Sequence, residues 1–114
     1  MEIQVNVDCA DLDRMVEFYC AALGYEAHGS AGDHYRSLTA SDGRRPKLVF
    51  QKVPESKTTK NRVHLDVIVG PEIDAEAERW EALGASRVEK VSEYGLNWIV
   101  MRDPEGNEIC ICDA

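Results

Sequence analysis

The sequence predicts an α+β fold built from two consecutive βαβββ modules. The main indication is an internal repeat, because "AALG" at Ala21–Gly24 returns as "EALG" at Glu81–Gly84, an offset of 60 residues. The same offset relates "QVNV" to "HLDV" and "KLVFQ" to "NEICI". In each half, an alternating apolar segment precedes a helical pattern and a series of short strand-like runs. We therefore expect modules at residues 1–53 and 62–114, joined by the polar linker Pro54–Asn61.

The first module opens with an alternating strand at residues 2–8, in which Ile3, Val5 and Val7 share one face. A helix follows, since Asp11 can cap its N-terminus and Gly24 suits the left-handed position after its end. The apolar side of this helix is predicted to be Leu12, Met15, Val16, Tyr19 and Leu23. Three strands complete the module, with "SDGRRP" as the turn before the last, and they are predicted at Tyr25–His28, His34–Ala40 and Lys47–Val53.

The second module repeats this order. A strand at Val63–Val69 precedes a helix that begins about Pro71, a residue tolerated in a first helical turn, and ends at Gly84. The helix is expected to bury Ile73, Ala77, Trp80 and Leu83. The remaining strands are predicted at Arg87–Val91, Leu96–Arg102 and Glu108–Cys112, and "DPEGN" forms the last turn.

Composition excludes several classes of partner. The 114 residues carry a net charge of −8, which disfavours binding to nucleic acid and to anionic membranes. No apolar run approaches the roughly 20 residues of a membrane span, and the N-terminus lacks the layout of a signal peptide. The four cysteines form no CxxC pair, which favours reduced thiols. We therefore expect a cytoplasmic protein.

The tandem βαβββ pattern, with "FY" and "ALGYE" around the first helix end and "DPEGNEI" before the last strand, resembles the vicinal oxygen chelate superfamily. That superfamily includes glyoxalases, extradiol dioxygenases and bleomycin-resistance proteins. The resemblance covers nearly the whole chain and implies a single domain, residues 1–114, with the glyoxalase/bleomycin resistance/dihydroxybiphenyl dioxygenase-like fold. In this fold a mixed sheet curls around a cavity. Relatives are often dimers, so the resemblance also implies a homodimer.

The resemblance also places a candidate metal site. Metal-binding relatives carry up to four ligands on the first and last strands of the modules, and these positions correspond to Gln4, Phe50, His64 and Cys110. The second and fourth ligands are usually Glu in such relatives. A hard divalent cation favours carboxylate or imidazole ligands, whereas these four positions offer one imidazole, one neutral amide, a thiol and a phenyl ring, and the phenyl ring cannot bind a metal. We therefore expect no metal cofactor, with Gln4 and His64 as fallback ligands for a divalent ion.

A polar cavity lining follows from strand alternation and the repeat, since Gln4, Asn6, His64 and Asp66 all oppose apolar faces. Asp66 lies two residues after His64, about 7 Å away by strand rise. His64 is then either a hydrogen-bonded polar residue or a general base tuned by Asp66, and these two residues are the catalytic candidates.

The ligand-binding candidates are Gln4, Asn6, Phe50, Trp98 and Cys110. An aromatic ring at Phe50 or Trp98 could contact a planar ligand, although the pattern does not fix the face of Trp98. Cys110 is interpreted as a small residue that lines the pocket, with a nucleophile activated by His64 as the alternative. A disulfide with Cys112 is disfavoured because residues i and i+2 of a strand lie near 7 Å apart.

The leading functional prediction is binding of a small organic ligand in the cavity, with an incomplete set of metal ligands. Whether the protein is an enzyme stays open, with a glyoxalase-type lyase as the enzyme class. One alternative is a divalent-metal-dependent lyase, isomerase or dioxygenase that uses Gln4 and His64. Another is a drug-sequestering, bleomycin-resistance-like protein that holds a cationic compound. A third is a metal-free enzyme that uses His64 with Asp66 for proton transfer.

Overall fold

The computed structural model describes residues 1–30 and 32–114 and contains two compact units, Met1–Ser56 and Lys57–Ala114. The boundary between them falls inside the predicted linker. Each unit contains one helix and a four-stranded sheet, in the order β-α-β-β-β. The predicted α+β class and the repeated element order are therefore confirmed. Neither helix in the described part of the chain is long and apolar enough to cross a membrane.

The first unit places its first and last strands side by side. Its elements are β1 (Gln4–Cys9), α1 (Leu12–Leu23), β2 (Tyr25–Ser30), β3 (Tyr35–Ala40) and β4 (Lys47–Lys52). The strand order is β1-β4-β3-β2, with β1 parallel to β4 and the other pairs antiparallel. The parallel pair requires a crossover connection, which is supplied by the helix and the two strands between β1 and β4.

Helix α1 begins and ends as the sequence predicts. The Asp11 carboxylate accepts a hydrogen bond from the backbone N–H of Arg14 at 3.1 Å, and Gly24 adopts φ 68° after the last turn. The buried side differs from the prediction, because Val16 and Leu23 are only half-buried. The buried side is shifted from Val16 and Leu23 towards Phe18 and Ala22, and its members are Leu12, Met15, Phe18, Tyr19 and Ala22.

The second unit has the same arrangement. Its elements are β5 (Asp66–Ile68), α2 (Ile73–Ala82), β6 (Ser86–Glu93), β7 (Leu96–Arg102) and β8 (Glu108–Cys112). The strand order is β5-β8-β7-β6, and β5 runs parallel to β8. Strand β5 is shorter than the predicted Val63–Val69, and helix α2 starts at Ile73 rather than at Pro71.

Helix α2 covers one face of the second sheet. Ile73, Ala77 and Trp80 are buried as predicted, and the Trp80 indole N–H donates to the Glu76 carboxylate at 2.9 Å. Leu83 was expected in this core but is 37% exposed, because it follows the last helical turn. The sheet contributes alternate buried residues of β7 and β8 to the same core: Ile99, Met101, Ile109 and Ile111.

Strand register corrects the predicted equivalence of Phe50 and Cys110. In the first unit, Asn6 of β1 lies beside Val49 of β4, whereas in the second unit Asp66 of β5 lies beside Cys110 of β8. Because Asn6 and Asp66 are repeat partners, the structural counterpart of Cys110 is Val49, at an offset of 61 residues. A shift of one residue moves a side chain to the other face of its sheet.

Candidate functional site

The second sheet has an open face, which we define as the face opposite the residues buried under α2. Side chains of directly paired residues project to the same side of a sheet. Asp66 pairs with Cys110, Cys110 with Val100, and Trp98 with Cys112. The pairing therefore collects these five residues on the open face, while alternate positions of the same strands enter the core. The undecided orientation of Trp98 is thereby resolved.

His64 and Asp66 are in direct contact at the start of this face. The His64 Nε2 atom lies 3.2 Å from Asp66 Oδ1, and the two side chains are 40% and 57% exposed. Strand spacing alone predicts a distance of about 7 Å between the backbones of the two residues, and the two side chains are long enough to meet across it. The contact leaves both groups accessible to a ligand, and a carboxylate at this distance can orient an imidazole.

Cys110 lies next to this pair. One donor atom from each of His64, Asp66 and Cys110 can be chosen so that all three atoms lie within 4.8 Å of one another. Burial, together with the negative charge of Asp66, raises the pKa of the Cys110 thiol to about 11. The thiol is therefore protonated near neutral pH, which disfavours Cys110 as a nucleophile in the absence of a bound cation.

Two grooves on the second unit meet at this cluster. The large groove has a volume of about 570 Å³ and the small groove about 340 Å³, and both are lined by His64, Trp98 and Cys110. The small groove adds Asp66 and Cys112 together with the turn at Leu96 and Asn97. The large groove adds charged residues and the segment Lys57–Lys60. Concave surfaces of this size that combine an aromatic ring with a few polar groups are typical of small-molecule sites.

A buried carboxylate fixes one wall of the large groove. Glu108 is only 8% exposed and accepts a hydrogen bond from the backbone N–H of Asn61 at 3.0 Å. The Lys57 ammonium lies 3.4 Å from the same carboxylate and donates to the backbone carbonyl of Thr59. Burial opposes ionisation, yet the backbone hydrogen bond from Asn61 and the charge of Lys57 hold the pKa of Glu108 below its usual value. The segment 57–61 is thus fastened to strand β8.

The ligand-binding candidates divide between the two units. Trp98 and Cys110 line both grooves, whereas Gln4 and Asn6 are exposed residues of β1 in the first unit. Phe50 is fully buried in the first unit, with its ring centroid 4.9 Å from that of Tyr19. We therefore assign Phe50 to the core and do not carry it into the proposed site.

Sequence reasoning missed the charged residues of the large groove. The sequence places Lys60 in the polar linker Pro54–Asn61 and gives Glu89 and Arg102 no role, yet all three line the groove beside Trp98. A signal was available for Arg102. It lies four residues after Trp98 in the same strand, and residues separated by two or four positions share a face.

Comparison with solved structures supports the fold. A glyoxalase/bleomycin resistance protein/dioxygenase family enzyme from Burkholderia phytofirmans is 21% identical, with a TM-score of 0.81 over 96% of this chain and 94% of that one. The fosfomycin resistance protein FosX from Listeria monocytogenes, a mutant complexed with Mn(II) and dihydroxypropylphosphonic acid, is 15% identical. Its TM-score is 0.82, with coverage of 97% and 87%. FosX from Mesorhizobium loti is 13% identical, with a TM-score of 0.78 and coverage of 100% and 92%.

Sequence comparison with curated proteins gives no match. A family model does match, and it covers residues 4–112 with the description glyoxalase-like domain. The matched region contains β1 to β8 and both helices. The chain therefore belongs to the glyoxalase-like domain family and has the fold of the vicinal oxygen chelate superfamily, as its repeat and its "DPEGNEI" turn predict.

Proposed function

We propose that this protein binds a small organic ligand in the grooves on the open face of its second sheet. The observation that carries the proposal is the contact of 3.2 Å between His64 and Asp66 at the junction of two grooves lined by Trp98. An ionisable pair in a concave surface with an aromatic wall is the arrangement expected of a small-molecule site. The glyoxalase-like family membership supports the same conclusion.

The pair also suggests how the protein could act on its ligand. His64 is accessible and can exchange a proton with a bound molecule, while Asp66 holds the imidazole in place. Proton transfer next to a carbonyl is the chemistry of glyoxalase-type lyases and isomerases, and we propose that class if the protein is an enzyme. Cys110 would line the site rather than attack the ligand, because its thiol stays protonated.

The binding proposal can be tested by protein-observed NMR with a fragment library. The protein has two tryptophans, and Trp98 lines the grooves while Trp80 is fully buried and donates to Glu76. Bound fragments should shift the indole N–H signal of Trp98 and leave that of Trp80 in place. Trp98→Phe should assign the shifted signal. If no fragment moves the Trp98 signal or the amides of β7 and β8 at millimolar concentration, the proposal is wrong.

A second candidate function is metal-dependent catalysis, which the cluster of His64, Asp66 and Cys110 favours. An imidazole, a carboxylate and a thiol with one open position fit Zn²⁺, whose catalytic sites usually have three protein ligands. Mn²⁺, the ion in the complex of Listeria FosX, prefers oxygen and imidazole donors to a thiol. A bound zinc ion would supply Lewis acidity, while His64 and Asp66 would orient it next to the ligand.

Metal titration tests this candidate. Cobalt(II) is a suitable probe, because a bond to the Cys110 thiolate produces a charge-transfer band in the near ultraviolet. The band should be lost in Cys110→Ser and retained in Cys20→Ser, which changes a thiol of the first unit. Zinc should compete for the same site. Binding that is unchanged in both His64→Ala and Cys110→Ser would exclude the cluster as the metal site.

We also propose that the protein forms a homodimer and resides in the cytoplasm. The homodimer is supported by the resemblance to a superfamily whose members are often dimers. The cytoplasm is supported by the four cysteines, none of which forms a disulfide in the described structure. Light scattering should give about twice the chain mass of 12.8 kDa. A mass near 12.8 kDa at micromolar concentration would refute the homodimer.

A further inference from the structure

The large groove carries a different charge from the rest of the protein. The chain has a net charge of −8, yet this groove is lined by three cationic residues and only two acidic ones, with His64 in addition. The cationic residues are Lys57, Lys60 and Arg102, and the acidic residues are Glu89 and Glu108. A cationic concave surface on an acidic protein concentrates anions locally.

Two of these charges are already paired with each other. Lys57 lies 3.4 Å from Glu108, and Glu108 also accepts the backbone N–H of Asn61. Neither Lys60 nor Arg102 forms an ion pair with any residue that the structure describes, and Glu89 is the one remaining acid of the groove. The charge available to a ligand is therefore carried mainly by Lys60 and Arg102.

Lys60 belongs to the segment 57–60 that lines the large groove, and Cys110 lines the same groove. Arg102 projects to the open face, because it lies two and four residues after Val100 and Trp98 in β7. The two cations thus lie at the same groove as the polar cluster of His64 and Asp66.

Apolar side chains supply the rest of the lining. Trp98 and Val100 belong to β7, and a bulge between Arg87 and Glu89 of β6 interrupts the pairing at Val88. Val88 lines the groove and is 42% exposed. The groove therefore combines an aromatic and aliphatic wall with two cations that form no ion pair with the described residues.

We infer that the ligand of the large groove is an organic anion, with a carboxylate or phosphate group held between Lys60 and Arg102 and an apolar body on Trp98. The inference rests on the proposed function and specifies its ligand class. It opposes the expectation of a cationic drug, which the acidic net charge of the sequence favours, because the groove itself has the opposite charge.

Four small probes of similar size test the inference: benzoate, phenyl phosphate, neutral benzamide and cationic benzamidine. Each is titrated into the labelled protein while the indole signals of Trp98 and Trp80 are followed. Benzoate or phenyl phosphate should move the Trp98 signal at a concentration at least about fivefold lower than benzamide. Comparison of the two anions shows whether a carboxylate or a phosphate is preferred. Raising the ionic strength from about 0.01 to 0.15 M should weaken anion binding.

Matched variants locate the charge that selects the anion. Lys60→Gln and Arg102→Gln should each weaken binding of the preferred anion about two- to fivefold, and Glu89→Gln should strengthen it. Lys90→Gln is the control, because Lys90 belongs to the same unit but pairs with Asp74 and lies beside the buried Ile99. The control should bind the anion as the wild-type protein does.

The outcomes separate the inference from the proposed function. If benzamide or benzamidine moves the Trp98 signal as readily as the anions, the groove binds ligands but the anion preference is wrong. Equal loss of binding in Lys60→Gln and Lys90→Gln also contradicts it, since only general charge would then matter. If none of the four probes moves the Trp98 signal up to its solubility limit while a fragment of the library does, the inference is contradicted and the proposed function stands; if the library also fails, both are contradicted.

Discussion

Glu108→Gln should destabilise the second unit and loosen the wall of the large groove. The wild-type carboxylate accepts the Asn61 backbone N–H at 3.0 Å and lies 3.4 Å from the Lys57 ammonium, while it is only 8% exposed. The substitution keeps the shape of the side chain and removes its charge. The amide can still accept one hydrogen bond, but its NH₂ group then faces a cation or another donor.

The magnitude follows from these contacts. A hydrogen bond to a charged group contributes about 1.5–3 kcal/mol to stability, and the amide retains part of that contribution. We therefore expect a loss of about 1–2 kcal/mol. With a urea m-value of about 1.5 kcal/mol/M, the midpoint of unfolding should fall by on the order of 1 M.

Tryptophan fluorescence measures this effect directly, because Trp80 and Trp98 both lie in the second unit. The pKa of Glu108 is lowered in the folded state, so its stabilising contribution is present above the unfolded value of about 4.3. That contribution is lost as the pH falls through the folded pKa. The difference between wild type and Glu108→Gln should thus be full at pH 7 and should shrink at acidic pH.

Glu93→Gln is the matched control, since it changes an exposed glutamate at the end of β6 outside both grooves. Its unfolding midpoint should stay within the error of the wild-type value. A Glu108→Gln protein as stable as the control at pH 7, or an effect of equal size at pH 7 and at acidic pH, would refute the role assigned to this carboxylate.

Three further predictions concern the core, the thiol and a helix end. Phe50→Ala should lower the free energy of unfolding by about 3–5 kcal/mol and Val49→Ala by only about 1.5 kcal/mol, because Phe50 packs on Tyr19 whereas Val49 lies on the other face of the sheet. Urea unfolding followed by circular dichroism measures both values, and equal losses would contradict the observed register. Cys110 has a pKa of about 11 in the folded protein, so iodoacetamide at pH 8 should alkylate it roughly a hundredfold more slowly there than in urea. Mass spectrometry measures the two rates, and equal rates would contradict the burial of the thiol. Gly24→Val should lower stability by more than about 1 kcal/mol and Gly24→Asn by less, because φ is 68° at this position, and thermal unfolding of both variants checks this order.

The repeat and the strand alternation were sufficient to predict the fold. Strands β7 and β8 have the predicted bounds, and the capping of α1 by Asp11 and Gly24 also agrees. These features depend on local sequence, since alternation, a capping carboxylate and a glycine at positive φ each act within a few residues. The β5 strand was predicted too long because apolar alternation continues through Val63, where no partner strand pairs with it.

The residues that form the site depend on pairing between distant segments. A fixed offset of 60 aligned Phe50 with Cys110, but one additional residue between β5 and β8 makes Val49 the counterpart. Lys60 was interpreted as a linker residue because nothing local shows that Glu108 fastens the preceding Lys57 to β8. Such contacts arise from tertiary packing, and a pattern read along one segment cannot reveal them.

The pairing of β5 with β8 places a carboxylate, that of Asp66, beside His64 and Cys110. By resemblance, metal-binding relatives usually have Glu at the position of Cys110, and this chain has a thiol there. Asp66 lies directly beside Cys110 across the parallel pair of β5 and β8, and it contacts His64, which precedes it by two residues in the sequence. A carboxylate is therefore present next to the imidazole, but it comes from the neighbouring strand, while a thiol occupies the last strand. With a thiol on the last strand and the carboxylate on the neighbouring one, the donor atoms suit zinc better than manganese, or suit a metal-free acid–base pair. The cobalt titration distinguishes these alternatives, because only a metal bound through Cys110 produces the thiolate band.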